Sequence, residues 1–308
     1  MAECIRMTFM SVTGEELEGI KWIPDGEVKG IVQLVHGMAE HIDRYDETGK
    51  ALADAGWLTV GHTCLGHGPK AKRLGWFAEK DGWQALIDDV HALRQKITEE
   101  YPDVPYVVLG HSMGSFVTRC YLTQYGQGLA GGVLSGTGYY DKMTVKAGLG
   151  IAKLVCLFGG AKKPSPLINA IGFASANKPF EPARTPFDWL SVDTENVDRY
   201  IADPYCGFLF TGAGYRDMFT GLDRLTRVEE LKNIPADLPV LFFSGGSDPI
   251  GKMGAGVQKV ADEFKAAGIA NVTVHLYPDR RHEMFNEENR EEVWADLIEW
   301  LDRECAAK

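Results

Sequence analysis

The chain has no Cys-x-x-Cys pair, and its six cysteines (Cys4, Cys64, Cys120, Cys156, Cys206 and Cys305) are scattered. That spacing speaks against a disulfide framework and a cysteine zinc site, and predicts reduced, mostly structural thiols. No uninterrupted apolar run approaches the ~18 residues of a spanning helix. Met1 to Arg6 carries neither a basic nor an apolar leader region, so the expected location is the cytoplasm. Basic residues are in the minority, 32 Lys and Arg against 43 Asp and Glu, for a net charge of -11. Phosphate backbones and anionic membranes both need clustered positive charge. The balance therefore argues against nucleic acid and disfavours electrostatic attachment to membranes. A dinucleotide fingerprint, a Walker loop and a metal-ligand cluster are all missing, so no cofactor and no metal is implied.

What the chain does have is a repeated alternation of short apolar runs with helical patterns. With 308 residues and 45% hydrophobic content it can bury a large core. Ile5 to Trp22 predicts two strands around a Thr13-Gly14-Glu15 turn, and Ile31 to Val35 a third. A helix over Tyr45 to Ala55, a strand at Leu58 to Val60 and a long helix over Asp81 to Glu100 follow. Tyr106 to Leu109 and Gly132 to Leu134 read as strands flanking another helix. After a break, Val240 to Phe243, a helix over Gly256 to Ala267, the strand Val272 to Tyr277 and a C-terminal helix resume the rhythm. Such alternation implies βαβ units and a mainly parallel sheet.

Between Asp141 and Tyr215 the rhythm fails, and prolines, aromatics and the apolar stretch Ala147–Phe158 take its place. This predicts a mostly helical insertion over the sheet, residues 141–215, within a core formed by 1–140 and 216–308. Ala147–Phe158 reads either as a membrane-touching helix or as a helix facing the core, and the second is expected because amphipathic apolar faces usually pack inward. As a lid, the insertion would set acyl specificity.

The chemistry centres on Gly110-His111-Ser112-Met113-Gly114, which lies between a strand and a helix. That context is what a nucleophile elbow requires. A serine hydroxyl needs a neighbouring base, itself held by a third group. Asp248 follows the Val240–Phe243 strand and His282 follows the last strand, both in loops where functional groups of open α/β sheets collect. His275 lies within a strand and reads as structural, while Asp279 is too near His282 to orient it. An oxyanion site needs two backbone N–H groups. The expected donors are Met113, directly after the nucleophile, and Met38 in the His36-Gly37-Met38 loop.

Taken together, His36 to His41 with Arg44-Tyr45, Gly66-His67-Gly68, Gly110 to Ser115, Ser247-Asp248 and Arg281-His282-Glu283 resemble the monoacylglycerol lipase/lysophospholipase group of α/β-hydrolases, which is also grouped with the serine aminopeptidases. The resemblance spans nearly the whole chain except the insertion. It implies the α/β-hydrolase fold, a mainly parallel central sheet flanked by helices, with a helical cap. It also implies Ser112, Asp248 and His282 as a triad, with Met38 and Met113 as oxyanion donors. Glu40 and Arg44 fall where the group steadies the first loop or meets the substrate's polar end. The implied substrate is a small-molecule acyl ester of monoacylglycerol or lysophospholipid type, and the apolar stretch of the cap leaves a transient membrane or micelle contact open. Where the group often has Asp-His-Arg before Gly-His-Gly, this chain has Thr63-Cys64-Leu65. Two alternatives stand beside ester hydrolysis. One is an aminopeptidase or amidase, although the His-Gly-Gly-Pro-Gly loop of proline-releasing peptidases is missing. The other is a catalytically silent binding protein on the same fold.

Overall fold

The computed structural model describes residues 2–173 and 175–306. Its frame is an eight-stranded sheet built from β1 (Glu3–Met10), β2 (Glu16–Ile23), β3 (Gly30–Val35), β4 (Trp57–His62), β5 (Tyr106–His111), β6 (Gly131–Ser135), β7 (Val240–Gly245) and β8 (Val272–Tyr277). The spatial order is β1-β2-β4-β3-β5-β6-β7-β8. β2 pairs antiparallel with both β1 and β4, and every later pairing is parallel. The expected strands are thus all present.

Fully buried runs such as Ile31 to Val35 and Val107 to Leu109 work here because both faces of the sheet are covered. On one face lie α1 (Asp46–Asp54) and α9 (Arg290–Glu304), packing Leu52, Leu297 and Trp300 against Val107 and Leu109. On the other lie α2 (Gly82–Glu100) and α3 (Met113–Tyr125), packing Leu86, Val90 and Val117 against Val108. α8 (Ala255–Ala266) extends that second layer through Val257, Val260 and Phe264.

β3 leads to β4 on one side, while β5 lies on the other. The carboxyl ends of β3 and β5 therefore diverge into a crevice, the place where ligands bind in open α/β sheets. The first loop and the Ser112 elbow emerge at that crevice.

Between β6 and β7 the insertion contributes no sheet strand among the described residues. It holds α4 (Lys142–Val155), a wide π-type turn at Cys156–Gly160, α5 (Pro166–Phe173), α6 (Thr194–Ala202) and α7 (Gly212–Leu225). Asp141 caps α4 through Thr144 N at 2.9 Å, and Asp193 caps α6 through the N–H groups of Glu195 and Asn196. One expectation fails here. Of Ala147–Phe158, only Ala152 is fully buried, while Leu154, Leu157 and Phe158 are exposed, Phe158 at 84%. Helical spacing identifies an apolar face, but not whether that face meets protein. α4 seats Val145 and Ala152 in the core that includes Met218 and Leu222 of α7, and turns its broader apolar side outward.

Candidate active site

The elbow is forced by its two glycines. A Cβ at Gly110 would fall 2.2 Å from the Gly114 carbonyl oxygen, and one at Gly114 only 2.0 Å from that of Val35. No other residue allows helix α3 to approach β5 and β3 so closely. Between them Ser112 takes φ 52°, ψ -120°, a conformation that costs an ordinary side chain on the order of 1–3 kcal/mol. It is held by Ser112 N–H donating to Ser135 O (2.9 Å) and by Ser115 Oγ donating to Ser112 O (2.6 Å).

His282 is buried and its Nδ1 lies 2.9 Å from Asp248 Oδ2. Asp248 is buried as well, and its remaining bonds come from Ser244 Oγ at 3.2 Å and Ile250 N–H at 2.8 Å. Burial pulls the His282 pKa down. The charge and hydrogen bond of Asp248, followed by the charges of Glu283 and Glu40, outweigh it and leave the imidazole above its ordinary value. Ser112 and His282 border the same cavity, which holds about 470 Å³. Ser112 Oγ has no hydrogen-bond partner among the described residues, an open geometry common before substrate arrives.

The first loop is held in place by neutral histidines. His36 Nδ1 donates to Gly37 O (2.8 Å) and its Nε2 accepts from Cys64 N–H (2.9 Å). His67 Nδ1 donates to Leu65 O (3.0 Å) and its Nε2 accepts from Ala39 N–H (3.2 Å). An imidazolium could not accept, and burial enforces the neutral form by lowering the pKa to about 4 for His36 and about 3 for His67. The Thr63-Cys64-Leu65 departure leaves this bracing intact, because Cys64 and Leu65 take part through main-chain atoms. Gly37 N–H is taken by Glu40 Oε1 at 2.5 Å and Ala39 N–H by His67. Between these engaged donors, Met38 N–H has no acceptor among the described residues. The Met113 N–H opens α3, where helix donors lack intrahelical acceptors. Met38 and Met113 both line the cavity.

Glu40 and Arg44 belong to a buried charge cluster. Arg44 donates to Glu40 Oε2 (2.6 Å) and to both oxygens of Glu283 (2.6 and 2.7 Å). Tyr45 O–H and Gly37 N–H complete the bonds of Glu40 Oε1, and Asn196 Nδ2 donates to Glu283 Oε2 at 2.8 Å. Glu40 is buried, which disfavours its charge, yet Arg44 and then His111 and His36 hold its carboxyl below the usual range. Glu40 borders the cavity, whereas the Arg44 guanidinium is consumed by the cluster and lies 4.9 Å from the Tyr200 ring centroid.

The insertion's part in this site was not legible in the sequence. Asn196 and Tyr200 are insertion residues on α6. Tyr200 O–H and Gly207 N–H both donate to Ala39 O, fixing Ala39 at φ 52° beside Met38. Glu283 N–H donates to Leu190 O (2.7 Å), and Glu287 accepts from Ser191 Oγ (2.8 Å) and Arg281 N–H (2.8 Å). The Trp189 ring lies 5.0 Å from that of His282. His275, by contrast, sits on edge strand β8 beside Asp296 at 3.4 Å, and Asp279 is exposed, as expected of non-participants.

His41, Asp203 and Cys206 bring ligand atoms within 4.8 Å of one another. His41 Nε2 is 2.8 Å from Asp203 and its Nδ1 3.3 Å from Asp43. Burial opposes a charge on His41, but hydrogen bonds to Asp43 and Asp203 raise its pKa, and burial pushes the Cys206 thiol well up. Both ring nitrogens of His41 are thus already engaged by carboxylates, and a thiol that burial keeps protonated is a poor cation ligand.

A strained serine at a strand–helix turn, an Asp-bound histidine in the same cavity and a helical insertion over a mostly parallel sheet define an α/β-hydrolase of the esterase type, a serine carboxylester hydrolase. A family model described as "Serine aminopeptidase, S33" matches residues 26–289, and the chain belongs to that family. It is 27% identical over 296 residues to a monoacylglycerol lipase of Mycolicibacterium smegmatis, covering 96% of this chain and 95% of that one. A thermostable carboxyl esterase from Bacillus coagulans, solved with glycerol, superposes with a TM-score of 0.92 at 28% identity, covering 99% of both chains. A lipase solved in an open form superposes at 0.86 with 26% identity, covering 98% of this chain and 99% of that one.

Proposed function

We propose that this hydrolase cleaves monoacylglycerol or lysophospholipid-like esters through an acyl-enzyme on Ser112. The observation that carries the mechanism is the strained Ser112 sharing one cavity with a His282 that Asp248 holds by Nδ1. Asp248 fixes the tautomer, so that His282 Nε2 takes the Ser112 proton and later returns it to the leaving alcohol. The Met38 and Met113 N–H groups receive the carbonyl oxygen as it becomes negative. The resulting acyl-enzyme is cleared by water activated through the same imidazole. Glu40 and Arg44 steady the first loop, and Glu40 borders the space open to a polar head. The ester class rests on the full-length likeness to a monoacylglycerol lipase and on a cavity lined by Met38, Phe173, Trp189, Phe208, Phe219 and Leu222.

We assign residues 141–215 to the cap and the remainder to the core, the second boundary falling in the first turn of α7. A cytoplasmic location suits six free cysteines, four of them buried. The test is a fluorophosphonate probe with wild type and Ser112→Ala, followed by initial rates on glyceryl, lysophospholipid and aminoacyl substrates. Labelling should vanish in the variant, and kcat/KM on acyl esters should rise about twofold per added methylene, half of full burial, until the cavity is filled. Labelling that persists would move the nucleophile elsewhere. A preference for aminoacyl substrates would replace the ester reading with an amidase, and labelling without turnover of any of them would leave a binding protein.

A further inference from the structure

We propose that a second cavity, which shares Tyr140 and Leu222 with the catalytic one, binds a phosphate group that keeps one P–O–H, as free hydrogenphosphate or as the end of a phosphate monoester. The α3 sequence leads to it. At about 100° per residue, Phe116 and Arg119 fall on the same helix face as Ser112. Phe116 lines the catalytic cavity and meets the Tyr140 ring at 5.7 Å. Arg119, two turns or ~10 Å further along, lines a separate cavity of about 90 Å³ together with Tyr139, Tyr140, Lys142, Leu222 and Glu263.

Arg119 brings a charge into the interior without a counter-charge. It is 3% exposed, its Nη1 donates to Gly138 O at 3.0 Å, and its Nε has no acceptor. It forms no ion pair among the described residues. Burial pulls its pKa down to about 10, so the guanidinium stays charged at neutral pH. Buried charges are costly unless they are paired. Nε and Nη2 form the edge of the guanidinium that holds two oxygens of one oxyanion. The rim adds more positive charge. Lys142 is exposed at the mouth, and the ammonium groups of Lys252 and Lys259 lie 5.3 and 3.7 Å from the Tyr139 ring centroid. None of these three lysines forms an ion pair among the described residues. Asp141, beside Lys142, is committed to capping α4 through Thr144 N–H.

Glu263 selects among oxyanions. It is half-buried and lines the cavity without reaching ion-pair distance of Arg119. Its carboxylate repels anions that can only accept, such as sulfate and acetate. Hydrogenphosphate can set two oxygens on the Arg119 edge and donate its P–O–H to Glu263. The cavity is small enough to enclose one tetrahedral anion, and its mouth, at exposed Lys142 and Val228, leaves space for a substituent outside. The inference is independent of the ester reading, because neither Arg119 nor Glu263 borders the catalytic cavity.

The test is calorimetric titration of the full chain with sodium phosphate, sulfate, acetate and glycerol 3-phosphate at neutral pH and constant ionic strength. Phosphate should bind about tenfold or more tighter than sulfate or acetate. Glycerol 3-phosphate binding as well would assign the site to a pendant phosphate, and inorganic phosphate binding alone to the free ion; either result supports the site. Arg119→Lys keeps the charge but loses the fork, and should weaken phosphate about tenfold or more. Glu263→Gln should reverse the selectivity, with sulfate gaining and phosphate losing. Lys142→Gln, at the exposed mouth and harmless to folding, should weaken phosphate about two- to fivefold. His282→Ala should bind phosphate as wild type does. No phosphate binding, equal affinity for sulfate, or affinities that the Arg119, Glu263 and Lys142 variants leave unchanged would overturn the proposal. So would loss of binding in His282→Ala, which would put the ion in the catalytic cavity.

Discussion

Replacing Asn196 by alanine tests whether the cap shapes the reacting groups or merely roofs them. Asn196 is 2% exposed, and its amide gives one bond to Glu283 Oε2 at 2.8 Å and takes one from Arg44 at 3.2 Å. Removing it leaves a buried carboxylate oxygen and a guanidinium N–H short of a partner, a loss of about 1–3 kcal/mol. Glu283 adjoins His282 in the chain, so the loosened loop is the one that aims the proposed base. If half of a 2 kcal/mol loss falls on the transition state, kcat should drop roughly fivefold even for p-nitrophenyl acetate, too small to need the cap's acyl contacts. Asn196→Asp keeps the shape but adds a carboxylate against Glu283, so it should be worse than alanine. The assay is kcat and KM on acetate and on a long-chain ester, across pH, with thermal unfolding beside them. A lowered melting temperature with unchanged kcat on acetate would refute the reasoning and leave Asn196 a structural residue only.

Other perturbations read different parts of the site. If Met38 N–H is the oxyanion donor proposed above, Met38→Pro should cost about 100-fold or more in kcat by deleting it, while Met38→Ala keeps the N–H and should be mild; equal losses in two folded variants would place the effect in the side chain. His282 must be neutral to act as base and its pKa is raised, so the acid limb of kcat/KM should lie above the ~6.5 of an ordinary histidine, and a limb below that would contradict the Asp248 pairing. His36, His62, His67 and His111 have depressed folded-state values of about 4, 3, 3 and 4. Their contribution is present above ~6.5 and is lost as pH falls towards those values, at about 1.4 kcal/mol per pH unit for each histidine. Urea midpoints should therefore drop from pH 7 to pH 5.5, and a flat profile would mean that these imidazoles are solvated.

Strands β1 to β8 were legible because each is a short apolar or alternating run fenced by turn residues, a signal local to a few positions. That Asp248 and His282 pair, and that Ser112 and His282 border one cavity, could be anticipated for a related reason, since each of the three follows a strand in an order that the topology makes meaningful. Contacts that close over long sequence distances left no such trace. Arg44 and Glu283 lie 239 residues apart, and neither shows from its neighbours that it is buried. Asn196 and Tyr200 fall in the segment where alternation breaks, so periodicity says little about what they touch. The Ala147–Phe158 stretch shows the complementary limit, because an apolar stripe reads the same whether it is covered by protein or left exposed.

The cap's bonds to the base loop also bear on engineering. A chimera that exchanges residues 141–215 for a cap from another chain would strip Asn196 from Glu283, Ser191 and Val192 from Glu287, and Tyr200 from Ala39. Substrate preference and turnover are therefore inherited together, and a transplanted cap needs Arg44, Glu283 and Glu287 redesigned with it. Libraries aimed at selectivity alone belong on α5 and α7, whose cavity-facing Phe173 and Phe219 take no part in those bonds.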